Sequence, residues 1–76
     1  MSRAEDILSG LGGAANVVEL EPCITRLRVV VTDPDAVDEP AVRSAGAVGV
    51  IRSGRIVQVL VGQEADSLAA EIDNLR

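Results

Sequence analysis

The sequence has no histidine, no lysine and no aromatic residue, and only one cysteine. Each absence removes a class of chemistry. Without histidine there is no Ser-His-Asp triad and no Cys–His nucleophile, and with one cysteine a structural zinc site is excluded as well. Without phenylalanine, tyrosine or tryptophan there is no platform on which a base or a sugar ring can stack. Without lysine there is no P-loop lysine to grip a phosphate. A lone cysteine cannot form an internal disulfide and fits a reducing compartment. No run approaches the roughly 20 apolar residues of a membrane-spanning helix. The opening MSRAEDIL carries Glu5 and Asp6 and is not a signal peptide. These absences point to the cytoplasm.

What is present describes a small globular protein. The 76 residues suit one domain spanning 1–76, with 47% hydrophobic and 25% charged residues. The core must be built from Val, Ile, Leu and Ala. The net charge is −5, from twelve acidic residues against seven arginines. An acidic chain without aromatics is a poor nucleic-acid binder, because phosphate contacts need a positive surface.

The hydrophobic periodicity predicts the order helix, two strands, helix, two strands, helix. Ser2 and Glu5 make a capping-box pattern ahead of a helix whose Ala4, Ile7, Leu8 and Leu11 share a face, and Gly12-Gly13 ends it. Asn16 to Glu21 reads as a strand with Val18 and Leu20 inward, interrupted at Pro22. Thr25 to Val31 is a second strand, with Leu27, Val29 and Val31 on one face and Arg26, Arg28 and Val30 on the other. Pro22-Cys23-Ile24 then forms the tip of a hairpin. Asp38 caps a short helix with Pro40 in its first turn, and Val42 and Ala45 face the core. AVGVI and IVQVLV are strands joined by an RSGR turn, with Arg52 and Arg55 solvated. Ala65, Leu68, Ala69, Ile72 and Leu75 form the buried face of a last helix. The expected fold is α+β, an open-faced sandwich.

EPCITRLRV, from Glu21 to Val29, sets the only thiol beside the densest positive charge. A lone cysteine is often just a small buried hydrophobe, but one in a turn after a proline lies at the surface. The thiolate is the reactive form, and nearby positive charge favours it. Arg26 and Arg28 stand two apart on a strand, so both guanidiniums leave the same face, where two forks match the oxygens of a phosphoryl group. Turn amides after Cys23 can add a backbone nest for the same anion. The alternative is that both arginines are a solvated strand face paired with Glu19 or Glu21. Asp33, Asp35, Asp38 and Glu39 lack the spacing of a calcium loop and read better as helix caps.

The segment CITRLRVVVTD, preceded by NVVELEP, resembles the enzyme IIB domain of the bacterial sugar phosphotransferase system, in its glucose and N-acetylglucosamine branch. The likeness extends from the leading helix through SAGAVGVI and VQVLVG. Cysteine phosphatases differ, since they place five residues between Cys and Arg where Cys23 and Arg28 have four between them. The resemblance implies a four-stranded antiparallel sheet with three helices on one face. It implies that Cys23 accepts a phosphoryl group from a phosphohistidine of a IIA partner and passes it to glucose or N-acetylglucosamine held by a membrane IIC partner. Arg28, with Arg26, would serve the onward transfer, and Ile24 and Thr25 would belong to the loop that cradles the phosphate. No cofactor or metal is implied. The chain would act in the cytoplasm, at the inner face of the membrane through IIC, and a transcription regulator is a further partner by analogy only. Pro22 departs from relatives, which carry a small residue such as alanine there. Without the resemblance, an anion-sensing module or a thiol redox sensor fits the same residues.

Overall fold

In the computed structural model, which describes residues 2–76, the first helix begins as its sequence requires. Helix α1 (Arg3–Gly10) is capped by Ser2, whose side chain accepts the Glu5 amide while the Glu5 carboxylate accepts the Ser2 amide. Strands β1 (Val17–Cys23) and β2 (Arg26–Val31) follow, then helix α2 (Glu39–Ser44), strands β3 (Gly49–Ser53) and β4 (Ile56–Leu60), and helix α3 (Ala65–Leu75). The sheet order is β1-β2-β4-β3, and every neighbouring pair is antiparallel. The two hairpins therefore meet along β2 and β4, with β1 and β3 at the edges.

One face of the sheet and the three helices share an aliphatic core. Leu20, Leu27, Val29, Val31, Val57 and Val59 come from the strands, Ile7, Val42, Leu68 and Ile72 from the helices, and Leu11 from the C-cap of α1. The opposite face of the sheet is open. This is the α+β open-faced sandwich that the periodicity predicts. Asp38 accepts the Ala41 amide at the start of α2, and Asp33 accepts the Asp35 amide at the 3-10 turn before it, so these two of the four acidic residues serve as caps.

Four local expectations are corrected. β1 does not stop at Pro22 but continues to Cys23, with Pro22 opposite Leu27. It is an edge strand, and an edge has an unpaired side where a missing N–H breaks no ladder bond. Val18 is exposed, because the register shifts between Val17 and Glu19. This bulge turns Val17 and Leu20, three residues apart, to the same buried side. β3 begins at Gly49 rather than Ala47, because the Ala47 amide bonds back to the Val42 carbonyl and belongs to the exit of α2. Leu75 is 45% exposed, so the buried face of α3 ends at Ile72.

Asn16 is the one buried polar side chain among the described residues. Its amide nitrogen donates to the carbonyls of Leu11 (2.7 Å) and Asp33 (3.0 Å), and its oxygen accepts the Asp33 amide (2.8 Å). It ties the exit of α1 to the exit of β2 and so fixes where β1 begins.

Candidate functional site

Each hairpin is closed by two residues, Ile24-Thr25 between Cys23 and Arg26, and Gly54-Arg55 between Ser53 and Ile56. In both, only the first turn residue has positive φ, 59° at Ile24 and 60° at Gly54. That sign pattern belongs to a II′ turn, which favours glycine at its first position. Position 54 has the glycine. Position 24 has a β-branched residue instead, at a cost of about 1–3 kcal/mol. Ile24 is 88% exposed, so burial does not offset this cost. The turn is anchored one residue later, where the Thr25 carbonyl accepts amides from both Val61 (3.0 Å) and Gly62 (2.9 Å).

Cys23 is thus the last residue of β1 rather than a loop residue, and it is exposed. Its partner across the ladder is Arg26, whose partner on β4 is Leu60; the next row on the same face is Glu21, Arg28 and Gln58. Directly opposed residues of an antiparallel pair have Cβ atoms about 4.5–5.5 Å apart. The thiol and both arginines therefore stand on the open face of the sheet, at the end of the β1–β2 hairpin.

The other arginines show how unusual this pair is. Arg3 bonds to the carbonyls of Ala45 and Gly46 and pairs with Glu64. Arg43 and Arg52 reach Glu39, and Arg52 also bonds to the Pro34 carbonyl. Arg55 donates to the Val31 carbonyl at 3.0 Å, and Arg76 pairs with Asp73 at 2.9 Å. Arg52 and Arg55 are exposed at the hairpin turn, as expected, and they also pin the β3–β4 hairpin to neighbouring segments. Arg26 bonds only to a neutral group, Gln58 Oε1, at 2.8 Å. Arg28 has neither an ion pair nor a side-chain hydrogen bond among the described residues, although Glu21 and Gln58 flank it in the register. The alternative in which Glu19 or Glu21 neutralises these arginines is not the arrangement found. Among the described residues, the two arginines beside the thiol are those left without a carboxylate or main-chain carbonyl partner.

Gln58 is a site residue that sequence reasoning missed. Its signal was an amide at the outward position of IVQVLV, between the buried Val57 and Val59. Three surface grooves of about 260, 320 and 490 Å³ involve the helices and the start of β1, and none is lined by Cys23, Arg26 or Arg28. The thiol sits on an open surface, suited to contact with another macromolecule.

Comparison with known proteins places this geometry in context. Residues 5–38, which include the whole β1–β2 hairpin, match the family described as phosphotransferase system, EIIB. The chain is 51% identical over 74 residues to the PTS system N-acetylglucosamine-specific EIIB component of Streptomyces coelicolor, covering 97% of this chain and 96% of that protein. Among solved structures it is similar to one domain of the PTS system IIabc component from Clostridium difficile, with a TM-score of 0.82 at 24% identity, covering 96% of this chain and 78% of that one. The last likeness establishes the fold alone.

Proposed function

The chain belongs to the EIIB family of the phosphotransferase system, and on that premise we propose that Cys23 carries the phosphoryl group through a covalent phosphocysteine. The donor is a phosphohistidine of a IIA partner, and the acceptor is a sugar held by a membrane IIC partner. The observation that carries this reading is the pairing of an exposed thiol with two arginines that have no anionic partner, in a chain of net charge −5.

In the first step the Cys23 thiolate attacks phosphorus. The P–N bond to the donor imidazole breaks, its electron pair stays on nitrogen, and an S–P bond forms. In the second step a sugar hydroxyl oxygen attacks the same phosphorus. The S–P bond breaks, the thiolate leaves with the electron pair, and the hydroxyl proton passes to a base outside this chain. Phosphoryl transfer is mainly positioning and stabilisation of the equatorial oxygens. Arg26 and Arg28 supply that stabilisation, with Gln58 orienting Arg26. Ile24 and Thr25 set the backbone of the phosphate loop.

The sugar is N-acetylglucosamine in this reading, supported by the name of the Streptomyces coelicolor relative rather than by any residue of the site. No helix among the described residues is long and apolar enough to cross a membrane, so contact with the bilayer falls to the IIC partner. The direct test follows both half-reactions in Arg28→Lys. Lysine keeps the charge but loses the bidentate fork, so acceptance from phospho-IIA should persist while delivery to sugar falls at least about tenfold, on the scale of losing one transition-state contact. Normal delivery by Arg28→Lys would remove Arg28 from the assignment.

A further inference from the structure

The Cys23 hairpin holds a conformation that its own turn residues disfavour, so something outside the turn must impose it. The Gly54 hairpin shows how the same chain makes this turn without cost. Both turns are bonded to the neighbouring central strand through the carbonyl of their second residue, Arg55 accepting the Val31 amide (2.9 Å) and Thr25 the Val61 amide (3.0 Å); what is particular to the Ile24 turn is that Thr25 also accepts a second amide, from Gly62. β4 stops at Leu60, opposite Arg26, and the chain then bends into a short 3-10 segment at 62–64. This bend brings two successive amides, of Val61 and Gly62, onto one acceptor, the Thr25 carbonyl. Val61, at φ −122° and ψ 0°, aligns the two amides, and φ of +74° at Gly62 turns the chain from them into the 3-10 segment, so a residue that cannot hold this dihedral must shift either the amide or the segment. A Cβ built at Gly62 meets nothing within 4 Å, so the dihedral, and not space, is what calls for glycine there.

We propose that Gly62 is a positioning residue for phosphoryl transfer, acting through the Thr25 carbonyl to hold the strained turn that aims Cys23. The inference rests on Cys23 being the phosphoryl carrier. Gly62 touches none of the reacting atoms. Its amide keeps Thr25 in place, Thr25 keeps Ile24 at positive φ, and that turn sets the direction in which β1 presents its last residue. Loss of the attachment lets Ile24 relax, and a thiol displaced by a fraction of an ångström is out of line with the donor phosphorus.

Gly54 is a matched control. It has a similar positive φ, its added Cβ also meets nothing within 4 Å, and it lies at the opposite end of β4. The experiment compares Gly62→Ala, Gly62→Asn and Gly54→Ala with wild type. Single-turnover transfer from excess phospho-IIA gives the saturating rate and the half-saturating concentration, and backbone 15N order parameters report on Ile24 and Thr25. Gly62→Ala should lower the saturating rate by roughly tenfold or more, leave the half-saturating concentration unchanged, and lower the order parameters at Ile24 and Thr25. Gly62→Asn should recover most of the rate, because asparagine tolerates the left-handed region. Gly54→Ala should lose comparable thermal stability and keep the wild-type rate. Equal slowing by Gly62→Ala and Gly54→Ala, a Gly62→Ala rate within about twofold of wild type, or unmoved order parameters would overturn the proposal. A wild-type chain that accepts no phosphoryl group overturns the carrier assignment and this inference together. A fast Gly62→Ala beside an active wild type overturns this inference alone.

Discussion

Arg28 and Asn16 show how differently single residues announce themselves. Cys23, Arg26 and Arg28 were legible because thiol and guanidinium have distinctive chemistry and a spacing of two puts both arginines on one strand face. Gln58 was not, since an isolated amide makes no pattern until β4 is known to lie beside β2. Asn16 was hidden for a similar reason: its partners are backbone atoms of Leu11 and Asp33, which no local rule brings together. Asn16→Ala leaves two carbonyls and an amide without their partner, so it should lower the unfolding free energy by about 1–3 kcal/mol. Chemical denaturation should show a lower midpoint with an unchanged slope. A midpoint equal to wild type would mean that water replaces the side chain without cost.

At the scale of elements, all three helices and all four strands were readable from periodicity, while their ends were not. Pro22 looked like a terminator because a proline breaks a central strand, but β1 is an edge. Val18 looked inward because strict alternation ignores the bulge at its own position. The first hairpin turns at Ile24-Thr25 rather than at the expected Pro22-Cys23-Ile24, since Ile24 is a poor choice for a residue at positive φ. Ile24→Gly removes the strain and adds some unfolded-chain entropy. The net effect should be a gain of about 1 kcal/mol, or roughly 4–8 °C in Tm for a domain of this size. Calorimetry on the two proteins decides it, and a lower Tm for Ile24→Gly would show that the turn is not strained.

For the whole molecule, the distribution of charge matters more than its sum. Four of the seven arginines tie segments together through carboxylates or main-chain carbonyls, Arg43 pairs with Glu39 within α2, and the remaining two stand beside the thiol on the uncovered face of the sheet. The helices close one side with an aliphatic core and leave the other side open. On the proposed function such a surface needs neither histidine nor an enclosed sugar pocket, because the donor imidazole and the bound sugar would arrive with the partners. How the other five arginines are engaged was not legible, because that depends on tertiary contacts.

The central claim is that Cys23 carries the phosphoryl group. Its most direct test is the intact mass of wild type and Cys23→Ser after incubation with phosphoenolpyruvate and the purified general and IIA components. A single phosphoryl adduct in wild type, lost when IIA is omitted and absent as phosphocysteine in Cys23→Ser, is the result predicted. An unmodified wild-type chain beside an active cognate IIA, or a phosphocysteine-like adduct that survives the substitution, would contradict it.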